Sequence, residues 1–198
     1  MKKPSLDRLL DLQRFLYLFR NIKRMTHFPN TDAENDVEHS YSLAMTAWYL
    51  ASFFPELHKD TVIRYALVHD LVEVHAGDTY IYADEQTLAS KHKREFEAYE
   101  QIKSDWADFP DLAETIAAYE ARKSPEAAFV YALDKIMPIM LIYIGEGYTW
   151  KTENITLEML HMQKKDKVAL SPEVYGYYEK LYELLKQSPH LIPLRRPS

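Results

Sequence analysis

The chain contains no cysteine, so neither a disulfide nor a thiolate-held metal can belong to it. Any metal must rest on histidine, carboxylates and water, and the composition fits a reducing compartment. Glycine is also scarce, with 4 in 198 residues. Long charged–apolar periodic stretches dominate instead, a pattern of helices rather than strands. An excess of basic charge is missing too. Lysine and arginine total 24 against 30 acidic residues, a formal net charge of −6. That balance argues against a general nucleic-acid surface, which needs basic stripes to neutralise phosphates. It does not argue against one small phosphate ester, whose charge a bound cation can balance. No stretch approaches the roughly 20 uninterrupted apolar residues of a membrane span. After Lys2 and Lys3 the apolar run is broken by Asp7, Arg8, Asp11, Arg14 and Arg20, which makes an amphipathic helix, not a signal peptide. What is present, 47% hydrophobic and 27% charged residues, suits one soluble domain with a real core, expected in the cytoplasm.

Hydrophobic spacing predicts an all-α chain with no repeat or linker. Helices are expected over 6–22, 36–54, 60–75, 87–106, 111–121, 124–144, 154–166 and 172–187. Asn35 or Asp36 caps the second, Pro55 closes it, and Ser124 with Pro125 opens the sixth, which Pro138 should kink. Residues 25–35, 79–86 and 145–152 read as loops, and the Pro-rich tail from Ser188 as extended. Arg20, Lys23 and Arg24 cluster at the end of the first helix, where basic groups suit the macrodipole.

Chemistry concentrates in V-H-D-L-V-E-V-H-A-G-D, residues 68–78. At about 100° per residue, His69, Asp70 and Glu73 can share one face of the third helix. An imidazole beside a carboxylate in an apolar helix is costly to bury alone, and a metal ion is the most economical reason for both. His39 in N-D-V-E-H-S and Asp134 in A-L-D-K complete a candidate mononuclear site of two histidines and two aspartates. This set suits Mn, Fe, Co, Zn or Ni without choosing among them. Glu73 is then placed as general base or water orienter, and Asp78, after the Gly77 turn, as a holder of water or leaving group. Arg24 and Lys135 are the candidates to balance phosphate charge. Each residue taken singly has a structural alternative. For Asp134, set among Phe129, Val130, Leu133, Ile136 and Met137, it is a salt bridge from another helix, since Lys135 should point about 100° away. His75, near the helix end, points away from the ligand face, His92 lies on a charged, solvated face, and His27, His58, His161 and His190 lack an acidic partner at metal spacing, while Tyr80 and Tyr82 stand beside Asp78.

In this order, E-H-S, H-D-L-V-E-V-H-A-G-D and A-L-D-K resemble the HD-domain superfamily of metal-dependent phosphohydrolases, in the branch of the 5'-deoxynucleotidases. The likeness extends to E-N-D-V-E-H-S-Y-S-L-A-M (34–45), K-H-K-R-E (91–95), S-P-E-A (124–127) and W-K-T-E-N-I-T (150–156). The resemblance implies a single all-helical HD domain over 1–198. Its core would run from about 24 to 156, with helix 6–22 and the helices over 154–187 packed on it. It implies one divalent metal (Mn, Co, Ni, Zn, Fe or Mg) on His39, His69, Asp70 and Asp134, Glu73 as the catalytic acid residue, and Asp78 as the second acid. Arg24 would contact phosphate. A metal-bound water would attack a small phosphate ester, foremost a (deoxy)nucleoside 5'-monophosphate, in a homodimeric enzyme that binds neither nucleic acid polymer nor membrane. Met25 stands where the deoxynucleotidases place a tryptophan that shapes the sugar pocket, which bears on deoxy preference. Competing expectations are a cyclic-nucleotide or alarmone phosphohydrolase, an HD-type di-iron oxygenase needing further histidines, and a non-catalytic regulatory HD module.

Overall fold

A computed structural model describes residues 3–26, 31–80 and 82–194. Lys2, His27, Pro29 and the end of the Pro-rich tail lie outside the described residues. The helices are α1 (Leu6–Phe19), α2 (Asp36–Ala51), α3 (Lys59–Val68), α4 (Glu73–Ala76), α5 (Glu85–Asp105), α6 (Pro110–Glu120), α7 (Pro125–Ile144), α8 (Tyr148–Thr152), α9 (Leu157–Val168) and α10 (Pro172–Lys186). No strand occurs among the described residues. The architecture is all-α, as the spacing predicts.

Local chemistry explains where the helices start and where they depart from expectation. The Asn35 side chain accepts from the Val37 and Glu38 N–H groups while Glu38 closes back on the Asn35 N–H, a complete capping box. Asn35, not Asp36, is therefore the cap, and Asp36 is fully buried. Helix α1 stops at Phe19, so Lys23 and Arg24 are not helix-end groups. They lie in a connection closed by an antiparallel bridge between Lys23 and Asn35. Arg24 N–H donates to Glu34 O at 2.8 Å and Glu34 N–H to Thr26 O at 2.9 Å.

The largest departure is the third helix, which does not reach residue 75. It ends at Val68, and residues 69–72 form turns that lead into α4. Here Glu73 N–H donates to Asp70 O at 2.9 Å and Leu71 N–H to Val68 O at 3.1 Å, the tighter i to i−3 pattern. The Ala66 carbonyl, the α-helical acceptor for Asp70 N–H, lies 2.9 Å from His69 Nδ1. The expected loop over 145–152 is partly helix α8. Gly147 opens it at φ +69°, and a Cβ there would stand 2.1 Å from Leu191 O, so only glycine fits. Nor is the tail merely extended: Leu191 and Ile192 are buried, and Leu157 N–H donates to Pro193 O at 2.8 Å.

Helix α7 corrects another expectation, because by length and composition it is apolar enough to cross a membrane. In this fold half of it is buried, and it packs against α2, α3, α9 and α10 as the central core helix, continuing through Pro138. Two apolar clusters surround it and its neighbours. The larger joins Leu43, Ala66, Ile136, Leu160 and Tyr178, and the smaller joins Phe15, Leu71, Val72, Ile102 and Trp106. Each fully buried large side chain contributes roughly 1.5–3 kcal/mol. Residues 69–72 lie between them, with Ala66 anchored in one cluster and Leu71 and Val72 in the other. That double anchorage fixes the turn carrying His69 and Asp70.

Candidate metal centre

His39 from α2, His69 and Asp70 from the turn after α3, and Asp134 from α7 converge. One ligand atom from each lies within 4.8 Å of all the others. His39 Nε2 is 2.9 Å from Asp134 Oδ1, and His69 Nε2 is 2.8 Å from Asp70 Oδ2 and 3.8 Å from Asp134 Oδ1. The buried His69 Nε2 nevertheless makes no well-aligned hydrogen bond. Its Nδ1 faces Ala66 O, so Nε2 is the ring nitrogen that faces the aspartates. The edge of the Tyr119 ring meets His69 at 88° and helps to hold this orientation. An unpartnered imidazole nitrogen beside two carboxylates is the donor set a divalent transition metal takes, so the residues present fit such an ion.

The electrostatics show how the cluster is held without one. Burial opposes the charge on Asp70, but His69 and Arg24 outweigh it and hold the carboxyl well below its ordinary range. Asp134 is likewise lowered against burial, by Lys135 and both histidines. His39 is pushed up to about 9: burial and Arg24 act against its proton, and hydrogen bonds to Asp134 and Glu34 prevail. Glu73 moves the other way, up to about 11, through burial and repulsion from Asp70, Asp78 and Asp36. Asp78 is also raised, by burial first, with Arg24 opposing.

All eight residues expected from the sequence stand at this one place, but three occupy it differently. Arg24 Nη1 reaches Asp70 Oδ2 at 2.7 Å and Asp36 Oδ1 at 3.1 Å, with Nε 3.5 Å from Glu34. It is a counter-ion to the carboxylates here. Lys135 does not point away from Asp134, since its flexible stem folds back and Nζ pairs with Oδ2. Glu73 does not share a helix face with His69. It opens α4 and is brought back to the cluster by the tight turn. Asp78 lies on the same cavity wall, steadied by Arg94 of K-H-K-R-E, which donates to Ala76 O and to Thr79 Oγ1.

Sequence reasoning missed Glu34 and Asp36, which pair with Arg24, and the cations Lys91, Lys164 and Lys167 that line the cavity. Glu34 and Asp36 were visible in E-N-D-V-E-H, where three carboxylates flank His39 and only Glu38 serves the cap. The cavity holds about 550 Å³ and continues past the metal cluster to Ile139, Ile142, Trp150 and Leu160. His92 lines it from an exposed position, whereas His75 is exposed and set against Phe15.

The comparisons with known proteins agree with this geometry. The family model described as HD domain matches residues 18–175. The 5'-deoxynucleotidase HDDC2 of Mus musculus is 35% identical over 136 residues, covering 65% of this chain and 67% of that protein. Its Homo sapiens counterpart is 33% identical over 126 residues, 63% of this chain and 56% of that one. The crystal structure of a protein described as a predicted metal-dependent phosphohydrolase, from Magnetospirillum magnetotacticum MS-1, matches at TM-score 0.77 and 30% identity, over 94% of this chain and 96% of that one. With the family model spanning α2 through α9 and every ligand position filled, this chain belongs to the HD-domain family.

Proposed function

We propose that the chain is a metal-dependent phosphohydrolase that releases phosphate from a small phosphate ester, foremost a (deoxy)nucleoside 5'-monophosphate. The observation that carries this reading is the convergence of His39, His69, Asp70 and Asp134 at the wall of a cavity of about 550 Å³, within the size range of small-molecule sites. The names of the relatives supply the substrate class. Those four residues would hold one divalent ion, which when bound polarises a phosphoryl oxygen and acidifies water.

The chain's own groups divide the remaining work. Glu73 Oε2 has no hydrogen-bond partner, so it can hold the attacking water, and its carboxylate, ionised once a bound cation offsets Asp70, Asp78 and Asp36, would be the group placed to take that water's proton. Asp78 stands next along the wall to hold water or the leaving oxygen. The apolar far end excludes water and offers Trp150 and Ile142 to a nucleobase. Met25 lines the same cavity, and Met25→Trp should sharpen discrimination against ribonucleotides if it stands at the sugar.

A one-ion site is favoured over a two-metal one. Asp36, Asp70 and Glu73 form a second acidic group, but the Arg24 guanidinium already bridges Asp36 and Asp70. The proposed homodimer has surface to cover: Tyr41, Met45, Trp48, Tyr49 and Phe53 are exposed at helical spacing along and just beyond α2. The test of function is phosphate release from nucleoside and deoxynucleoside monophosphates, cyclic nucleotides and sugar phosphates, with Mn, Co, Ni, Zn or Mg added to metal-stripped protein. Preferential release from 5'-monophosphates supports the reading, and silence across the panel overturns it.

A further inference from the structure

Six lysine and arginine side chains line the cavity, and four of them have a carboxylate of their own. Arg24 has Asp70, Lys135 has Asp134, Lys91 has Glu95 at 3.3 Å and Arg122 has Glu120 at 3.4 Å. Lys164 and Lys167 have neither an ion-pair nor a hydrogen-bond partner among the described residues. Both stand on α9 with Leu160 and Gln163, and these four positions at i, i+3, i+4 and i+7 form one helix face that lines the cavity. A helix packed on a core ordinarily turns apolar groups inward, but this one turns two ammoniums toward the site.

Lys167 has a partial reason in the chain itself, because it lies in the last turn, where the macrodipole favours a cation. Lys164 lies earlier and has none. Burial together with Lys135 and Lys167 pushes it down to about 7, with Asp134 the only opposing group among its main influences. Lys164 therefore lines the cavity beside like charges and without a counter-ion among the described residues.

We propose that Lys164, with Lys167 beside it, is the anion subsite of the cavity and takes the phosphate oxygens of the substrate. The proposal deepens the phosphohydrolase reading and rests on it for the identity of the anion. A phosphate dianion supplies the two unpartnered ammoniums with acceptors. It also relieves their mutual repulsion, and it leaves Arg24 and Lys135 with their carboxylates. Charge-assisted hydrogen bonds of this kind are the strong ones in anion recognition.

The probe is inorganic phosphate, titrated calorimetrically into the metal-loaded full chain and into Lys164→Met, Lys164→Arg and Lys165→Met. Phosphate affinity should fall about tenfold or more in Lys164→Met, the scale of one hydrogen bond to a charged group. It should be largely retained in Lys164→Arg and unchanged in Lys165→Met, an exposed neighbour that does not line the cavity. Metal affinity should stay the same in all of them. With substrate, Lys164→Met should raise KM more than it lowers kcat. Equal phosphate affinity in the parent and in helical, metal-binding Lys164→Met overturns the proposal, as does failure of the parent to bind phosphate. Should Lys164→Met fail to fold, loss of phosphate binding in Lys164→Gln with metal binding kept decides for it, and unchanged binding decides against. The two readings fail separately. Lys164-dependent phosphate binding without turnover of any ester removes the hydrolase reading alone. Turnover with phosphate affinity and KM indifferent to Lys164 removes this one alone.

Discussion

The two walls of the cavity are built on opposite electrostatic terms. On the wall formed by α2, the turn after α3, and α7, the charges are matched within the chain: Asp134 faces His39 and Lys135, and Asp70 faces His69 and Arg24. On the wall formed by α9, Lys164 and Lys167 face the same space with no ion-pair or hydrogen-bond partner among the described residues. The first arrangement keeps four ligands in place before an ion arrives, at the cost of a network that must be reorganised when it does. The second keeps a positive field ready and is completed only by something that enters. On the proposed function, the first wall would serve a cation and the second an anion.

The largest break in this comparison should come from Asp134→Ala. It removes a candidate ligand, takes from Lys135 its carboxylate and leaves His39 with Glu34 alone, so stoichiometric metal binding should vanish. The metal-free fold should lose about 3–5 kcal/mol, the scale of a buried pair broken on one side, as read from denaturant unfolding. Next comes Glu73→Gln, which keeps shape and removes proton transfer. Turnover should fall about 10²–10⁴-fold with metal content unchanged.

The same variant sharpens the comparison through pH. Glu73 is raised from 4.5 to about 11 in the fold, so its contribution to stability is complete below about pH 4.5 and is lost as pH rises toward 11. Asp36, raised to about 6, acts with the same sign over a narrower window. Metal-stripped protein should therefore lose stability from pH 5 to 9, by at most about 1.4 kcal/mol per pH unit from Glu73. Glu73→Gln should flatten that slope and be the more stable protein at pH 8. A parallel slope in the variant would show that Glu73 is ionised in the fold.

Arg24→Met should have a smaller and conditional effect. Without metal it strips the shared cation from Asp36 and Asp70 and should cost about 2–3 kcal/mol. With metal bound the loss should shrink, because a second cation then faces Asp70. Equal losses in both states would mean that Arg24 and the ion serve different charges. The smallest effect on the site should come from Gly147→Ala, which forces a Cβ against Leu191 O at a left-handed backbone position. It should lower the melting temperature, measured by calorimetry, and leave metal affinity within about twofold, since the strain lies between α8 and the tail.

How much of this was legible in the sequence depended on whether the signal was local. The four candidate ligands were legible because a histidine and an aspartate side by side in an apolar stretch are expensive, Asp134 is the acid in the interior of the core helix, and His39 completes the set. The all-α architecture followed from spacing alone. The end of α3 at Val68 was hidden, because the side chain that ends it looks like a helix residue until its ring is seen against Ala66 O. The role of Arg24 was hidden behind an ordinary rule for basic groups at helix ends, and it needed the bridge between Lys23 and Asn35 to be seen. Lys164 was overlooked for the opposite reason. The face L-x-x-Q-K-x-x-K was there to be read, but lysines on a closing helix are so often solvated that only the packing of α9 against α7 shows them turned inward.

The most direct test of the central claim is calorimetric titration of metal-stripped protein with Mn or Co, alongside Asp70→Ala. The account predicts one ion per chain, absent in Asp70→Ala, with phosphate release from 5'-monophosphates appearing in step with occupancy. Two ions per chain, or turnover retained by metal-free Asp70→Ala, would contradict it.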